Sequence, residues 1–246
     1  MKIDNDILRI LSTCVIDGFH LTITEIIDRK TYIKVNGVIQ ALGGKWSKKE
    51  KSHVFDTDAN ELIESVILTG EVLTNKDFDF FPTPEIIVQQ MIELTNIQSH
   101  HLVLEPSAGQ GHIAKFLALI CKLECIEINP SYIKTLEEQV GKDVKIIEGD
   151  FLSIPPIKNV DRVVMNPPFS KRMDIVHVEH AMKFLVPNGK LVSIMSDGIT
   201  FRMDKKGIRF REMIEDHNGT IDLIPDGSFK ESGTMIRTVM VTMTAK

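Results

Sequence analysis

The chain has 246 residues, of which 43% are hydrophobic and 26% charged, a balance typical of an ordinary globular protein. This length is enough for one full α/β core and a small accessory domain. No apolar run approaches the roughly 18 residues that span a bilayer, and the N-terminus lacks the pattern of a signal peptide. The chain has three cysteines, Cys14, Cys121 and Cys125, and their spacing follows no pattern. An odd number without a regular spacing favours reduced thiols over a disulfide framework. We therefore expect a cytoplasmic protein without a membrane partner.

The net charge of −5 argues mildly against a protein that coats nucleic acid. Basic side chains nevertheless cluster at 45–51, at Lys171 and Arg172, and at 202–211. Local patches govern contact with phosphates more than net charge does. A nucleic-acid partner therefore stays open at this point.

Residues 1–75 differ in pattern from the rest and predict a small α+β domain. Ile7, Leu8, Leu11 and Val15 recur at helical spacing and predict a helix that ends near Gly18. The next predicted elements are a strand over Thr31–Val35, a short helix over Val38–Leu42, and a helix over Leu62–Ile67 that Gly70 closes.

A basic hairpin turn is predicted within this domain. Trp46 and His53–Phe55 flank a turn that contains the candidate phosphate-binding residues Lys48, Lys49 and Lys51. The polar, acidic stretch Thr74–Asp79 is the best candidate for a linker to the second domain.

From residue 80 to residue 246 the pattern changes to strand–helix alternation. Thr83 is a predicted N-cap with Pro84 at the first helical position. Buried parallel strands are predicted at Leu102–Leu104, Cys125–Ile128, Val144–Ile147, Val160–Met165 and Leu191–Met195, and two further strands at Ile221–Ile224 and Ile236–Thr244. The alternation predicts an α/β, Rossmann-like sheet of seven strands, with ligands at its carboxyl edge.

A Gly-containing loop, Glu105–Gly111, follows the first of these strands and leads into a helix. Gly109 and Gly111 would let the backbone approach a ligand closely. Glu127 ends the second strand, where an acidic residue can accept both hydroxyls of a ribose. Asp150 ends the third, where a carboxylate could accept from an adenine amine. These features predict a nucleoside-containing cofactor, and a dinucleotide such as NAD would fit them equally well.

The tetrapeptide Asn166-Pro167-Pro168-Phe169 follows the fourth strand and has no role in hydride transfer. Methylation of an exocyclic amine needs acceptors aimed at its hydrogens, because the nitrogen lone pair is delocalised into the ring. The side-chain oxygen of Asn166 and the carbonyl of Pro167 can supply them, and the two prolines fix the backbone that aims them. Phe169 offers a ring on which a flipped base could stack.

This ordered set resembles the amino-methyltransferases that use S-adenosylmethionine, above all the N6-adenine DNA methyltransferases with the gamma order of motifs. The resemblance covers about residues 80–244. It includes Phe81-Pro82-Thr83-Pro84 before the cofactor loop, and Phe229–Thr234 near the end. The Phe form of the tetrapeptide is similar to that of type I modification subunits and some phage enzymes. No large target-recognition domain follows the last strand, so sequence specificity would be weak, or would come from the N-terminal domain or from a partner.

The resemblance implies S-adenosylmethionine as cofactor and DNA as partner, with a second copy or a specificity subunit as a further partner. The implied catalytic residues are Asn166, Pro167 and Phe169. The implied cofactor-binding residues are Phe81, Thr83, Glu105, Ser107, Gly109, Gly111, Glu127, Ile128, Asp150, Phe151 and Asn166. The implied substrate-binding residues are Phe169, Lys171, Arg172, Lys48, Lys49 and Lys51.

Other functions remain as alternatives to adenine methylation of DNA. A protein glutamine-N5 methyltransferase uses the same tetrapeptide logic, usually with Tyr at the last position. An RNA adenine methyltransferase and a non-catalytic anti-restriction module that keeps the fold are the others. We expect no metal site, because His177 and His180 lie beside an apolar helical stripe rather than in a ligand pattern.

Overall fold

The computed structural model describes residues 3–72, 81–230 and 236–246. The chain divides into two compact units, one of residues 1–77 with 197–211 and one of residues 78–196 with 212–246. The pattern of the sequence gave no sign that residues 197–211 group with the N-terminal unit. The predicted linker Thr74–Asp79 and the motif residues Glu231–Thr234 lie outside the described residues.

Helices and strands alternate along the chain. The helices are α1 (Asn5–Thr13), α2 (Arg29–Ala41), α3 (Ala59–Thr69), α4 (Glu85–Thr95), α5 (Ala114–Leu117), α6 (Pro130–Val140), α7 (Met173–Ala181), α8 (Gly198–Phe201) and α9 (Lys205–Asp216). The strands are β1 (Val15–Asp17), β2 (His20–Thr22), β3 (Lys45–Ser47), β4 (Ser52–Val54), β5 (Leu102–Pro106), β6 (Lys122–Glu127), β7 (Lys145–Glu148), β8 (Val160–Met165), β9 (Leu185–Ser196), β10 (Thr220–Leu223) and β11 (Thr238–Thr244).

The N-terminal unit contains an antiparallel sheet of order β1-β2-β4-β3 and a core to which α1, α2 and α3 contribute. Phe201 on α8 joins this core. The Arg202 guanidinium donates to a Glu64 carboxylate oxygen at 2.8 Å, and its side chain is only 8% exposed. These contacts explain why residues 197–211 belong to this unit.

The predicted strand at Thr31–Val35 is wrong, because this segment lies inside α2. Asp28 caps the helix by accepting from the backbone N–H groups of Lys30 and Thr31 at 2.8 and 3.1 Å. Val35 and Val38 are then buried on one face of the helix. The cap and the burial outweigh the β propensity of the segment.

The predicted basic hairpin is confirmed. Strands β3 and β4 pair antiparallel, and Trp46 lies opposite His53. The two rings meet edge-on with their centroids 5.1 Å apart, while Trp46 remains 52% exposed. Lys48, Lys49 and Lys51 occupy the turn, and all three are exposed.

The second unit contains the predicted seven-stranded sheet, in the order β10-β11-β9-β8-β5-β6-β7. The five strands β5 to β9 run parallel to one another. Strand β11 pairs antiparallel with both β9 and β10. The chain runs outward from β5 to β7 and then returns to β8 on the other side of β5. A ligand crevice is expected at such a reversal, at the carboxyl ends of the strands.

The helix before the cofactor loop begins one residue later than predicted. Pro84, rather than Thr83, occupies the N-cap of α4. The Thr83 hydroxyl instead accepts a hydrogen bond from the Asn166 side chain. Across the described part of the chain, no helix combines the length and apolarity needed to cross a bilayer.

Candidate active site

A cavity of about 480 Å³ lies at the carboxyl ends of β5, β6, β7 and β8. The segments that follow these four strands, together with Phe81 and Thr83 before α4, form its wall. Ligand pockets for small organic molecules have volumes of roughly 300–1,000 Å³. The cavity therefore has room for a nucleoside-containing cofactor at the position that the topology predicts.

The structure brings most of the predicted cofactor residues together at this cavity. The ones on its wall are Phe81, Thr83, Glu105, Ser107, Gly109, Glu127, Ile128, Asp150, Phe151 and Asn166. The structure thus brings these residues to one cavity, and that they bind the cofactor there stays a prediction.

Glu127 fixes the loop that follows β5. One of its carboxylate oxygens accepts from the Gly109 backbone N–H at 2.6 Å, and the other accepts from the Asn129 backbone N–H at 2.7 Å. The loop needs this support because Ser107 and Gly109 have φ angles of 60° and 56°, and the left-handed region is unfavourable for a serine. Each carboxylate oxygen keeps a second lone pair, which is available to a ribose hydroxyl.

Asp150 combines a structural contact with a place on the cavity wall. Its carboxylate accepts from the Leu152 backbone N–H at 3.0 Å and from the Ser153 hydroxyl at 2.9 Å. It thereby caps the short 3₁₀ turn at Phe151–Ser153. The predicted contact with an adenine amine would use the remaining lone pairs.

Asn166 stands at the end of β8 with its side chain oriented by Thr83. The Asn166 amide Nδ2 donates to the Thr83 hydroxyl at 3.1 Å, and both residues line the cavity. The Asn166 Oδ1 atom is buried and has no hydrogen-bond partner among the described residues. A buried carbonyl oxygen without a partner is costly, and a donor in the cavity would satisfy it.

The predicted stacking surface on Phe169 needs correction. Pro167 and Pro168 line the cavity, but Phe169 does not. Its ring is 1% exposed and meets the Phe81 ring edge-on, with centroids 5.3 Å apart. Phe81 also contacts Phe229, so the three rings form one packed group. A base could reach Phe169 only if this group opened.

Gly111 was predicted to let the loop approach the cofactor closely, but it does not line the cavity. Its φ angle is 87°, and an added Cβ would lie 2.9 Å from Leu136 Cδ1 and 3.3 Å from Gln139 Cβ. The loop therefore needs a glycine here to pack against α6.

We expect Gly111→Ala to lower the free energy of unfolding by about 2–4 kcal/mol, because it adds a steric conflict to an unfavourable φ. Gly141→Ala is the matched control, since Gly141 has a φ of 78° but nothing within 4 Å of its Cβ position. The control should lose only the backbone contribution, about 1–3 kcal/mol for an extended conformation with positive φ that glycine adopts most readily. Urea unfolding of both variants measures the difference, and equal losses would contradict the packing explanation.

His177 is a cavity residue that the sequence did not single out for this site. Its Nδ1 atom lies 3.1 Å from the Ser107 hydroxyl, and its ring contacts that of Phe151. Burial lowers the pKa of His177 to about 4, against the opposing effect of the Asp150 charge. Within residues 3–72, 81–230 and 236–246, no three His, Cys, Asp or Glu side chains are grouped to hold a metal ion. No local signal could have found the Ser107 contact, which joins residues 70 positions apart.

The remaining predicted residues are not among those that line the cavity. Lys171 and Arg172 form part of a 3₁₀ turn directly after the tetrapeptide, with φ angles of 51° and 61°. Lys48, Lys49 and Lys51 belong to the hairpin of the N-terminal unit.

The methyltransferase small domain family matches residues 83–215, which is more than half of the chain and includes both the cofactor loop and the tetrapeptide. The chain belongs to this family. A curated rRNA methyltransferase of Streptomyces thermotolerans is 33% identical over 92 residues, a match that covers 36% of this chain and 31% of that protein. The match thus spans about a third of the length of this relative.

Solved structures show the same fold. A dimethyladenosine transferase of Plasmodium falciparum superposes with a TM-score of 0.55 and 17% identity, over 68% of this chain and 64% of that one. The 23S rRNA methyltransferase ErmE superposes with a TM-score of 0.53 and 14% identity, over 68% of this chain and 70% of that one. At these identities the likeness concerns the fold alone.

S-adenosylmethionine is the cofactor of this family member, and the residues of the cavity fit it. Glu127 offers free lone pairs where a ribose would lie, and Gly109 gives the loop a close approach without a side chain. The described residues on the wall include three carboxyl groups, those of Glu105, Glu127 and Asp150, but no Lys or Arg. Such a wall suits a ligand with net positive charge, and S-adenosylmethionine has one, because its sulfonium and ammonium groups outweigh its single carboxylate.

Proposed function

We propose that the protein transfers a methyl group from S-adenosylmethionine to the N6 amine of adenine in DNA. The observation that supports this most directly is the buried, unpartnered Oδ1 atom of Asn166 on the wall of the cofactor cavity. The bound cofactor supplies an electrophilic methyl group on its sulfonium. The chain must therefore hold a weakly nucleophilic amine and direct its lone pair.

Asn166 and Pro167 are suited to that task. The Oδ1 atom accepts one hydrogen of the amine and the Pro167 carbonyl accepts the other, which draws the nitrogen toward tetrahedral geometry. Thr83 fixes the orientation of the Asn166 amide, and the prolines fix the backbone around it. No general base is required, because the methylated amine is cationic and loses its proton readily. Catalysis then rests on positioning and electrostatic complementarity.

Methylation of adenine in RNA is the second candidate. The observation in its favour is the 33% identity with an rRNA methyltransferase. The same Asn166 geometry serves both substrates, because the N6 amine is identical in the two nucleic acids. A protein glutamine-N5 methyltransferase is less favoured, because the basic hairpin at Lys48–Lys51 has no role in it.

Transfer of radiolabelled methyl from S-adenosylmethionine separates these candidates. Unmethylated DNA, RNA and a release factor are offered as acceptors, and labelled products are digested and analysed by nucleoside or amino-acid chromatography. We expect N6-methyladenine in DNA. Label confined to RNA would select the second candidate, and label in glutamine would overturn the proposal.

The hairpin turn at Lys48, Lys49 and Lys51 is expected to contact the phosphate backbone. Replacing the three lysines by glutamine should lower DNA affinity uniformly across sequences. It should also reduce the slope of log K against log salt by about 0.9 for each lost phosphate contact. Binding titrations at several salt concentrations measure both effects.

A matched control neutralises Lys122, Lys142 and Lys158, three exposed lysines near the amino ends of β6, β7 and β8, away from the cavity. This variant changes the net charge equally, so its salt slope should stay near that of the wild type. If the hairpin instead binds a second copy or a specificity subunit, its variant will keep the salt slope and change the mass measured by light scattering.

A further inference from the structure

Glu105 is a carboxylic acid buried in an unusual setting. It is 2% exposed, it lines the cofactor cavity, and its Oε2 atom has no hydrogen-bond partner among the described residues. Glu127, on the neighbouring strand and on the same wall, has both carboxylate oxygens bound to backbone N–H groups instead. Of the three carboxyl groups on the wall, those of Glu127 and Asp150 accept hydrogen bonds within the protein, whereas the Oε2 atom of Glu105 has no donor among the described residues.

Among the described residues that line the cavity with Glu105, no Lys or Arg is present to pair with it. Cys125 is its register partner on β6, and the other titratable groups on the wall are Asp150, His112, His177 and Tyr132. Burial lowers the pKa of both histidines, that of His177 to about 4. Burial, and secondly the charge of Glu127, raise the pKa of Glu105 well above the usual range of a glutamic acid.

We propose that Glu105 holds a proton in the free protein and releases it to solvent when S-adenosylmethionine binds. The protonated acid becomes a carboxylate, and the positive charge of the cofactor replaces the charge of the lost proton in the cavity. S-adenosylhomocysteine lacks the sulfonium charge, so it leaves the proton on Glu105. Glu105 thereby distinguishes the cofactor from the spent product, whatever the methyl acceptor is.

The sign of the pH dependence follows from this exchange. Binding that releases a proton becomes stronger as pH rises. The affinity for S-adenosylmethionine should rise by up to about tenfold per pH unit within a limited pH window. This window begins at the pKa of Glu105 in the complex and ends at its raised pKa in the free protein. The affinity for S-adenosylhomocysteine should change less over the same range.

Isothermal titration calorimetry in buffers of different ionisation enthalpy measures the protons released on binding. With the full chain near neutral pH, we expect a larger release for S-adenosylmethionine than for S-adenosylhomocysteine. The ratio of the two affinities, measured from about pH 5 to pH 9, should increase with pH. Equal proton release for the two ligands would overturn the proposal. This comparison needs no variant and no methyl acceptor, so it stands apart from the test of the proposed function.

Glu105→Gln tests the assignment to this residue, because glutamine has the shape of the protonated acid and cannot lose the proton. The difference in proton release should vanish, and the preference for S-adenosylmethionine should fall by about tenfold or more. Thermal unfolding followed by circular dichroism checks that the variant is folded. A folded variant that still releases the extra proton would place it on another group, such as His112, and would reject Glu105.

Discussion

Replacing Asn166 by alanine is expected to lower kcat by at least about 100-fold, the scale of removing one transition-state hydrogen bond. The acceptor oxygen for the amine is lost, whereas the loop fixed by Glu127 is untouched. Affinity for S-adenosylmethionine should therefore change little. Single-turnover methyl transfer and calorimetry measure the two quantities. A variant that kept more than half of its rate would show that Asn166 does not activate the amine.

Thr83 provides the matched pair for this experiment. Thr83→Val removes the hydroxyl that orients the Asn166 amide but keeps the shape of the side chain, whereas Thr83→Ser keeps the hydroxyl. The valine variant should lose rate by about tenfold, since a misaligned acceptor weakens catalysis without abolishing it. The serine variant should stay near the wild-type rate. If both variants lost the same activity, packing at Thr83 rather than orientation of Asn166 would be the cause.

Replacing Glu127 by alanine is expected to weaken binding of S-adenosylmethionine by about 100-fold or more. The variant loses its hydrogen bonds to the Gly109 and Asn129 backbone N–H groups, and with them the acceptor for the ribose. Hydrogen bonds to a charged group contribute about 1.5–3 kcal/mol each. Unchanged affinity in calorimetry would place the cofactor contact elsewhere.

Glu148→Ala is the control for Glu127, because Glu148 is its register partner on β7 but is exposed and absent from the cavity wall. Removing this carboxylate should leave S-adenosylmethionine affinity near that of the wild type. An equal loss in both variants would indicate a general electrostatic effect rather than a contact at Glu127.

Features that depend on neighbouring residues could be predicted from the sequence. The strand Val160–Met165 has the predicted bounds. The cofactor loop and the tetrapeptide lie at the carboxyl ends of β5 and β8, because the parallel topology brings those ends to one edge of the sheet. The segment Thr31–Val35 was mispredicted because its β-branched residues favour a strand locally, while the Asp28 cap and the buried face of α2 favour a helix.

The sequence by itself determined which apolar runs form strands and in what order they follow one another. It also determined the glycine-containing loop and the place of Asn166 directly after the fourth predicted strand, because each of these is a short-range pattern. Only the tertiary structure decided what those residues contact. It buried Phe169 against Phe81, used Gly111 for packing against Leu136, and joined Ser107 to His177. It also enclosed Glu105 without a donor for its Oε2 atom among the described residues. Burial and partnership depend on segments far apart in the chain, so local periodicity carries no information about them.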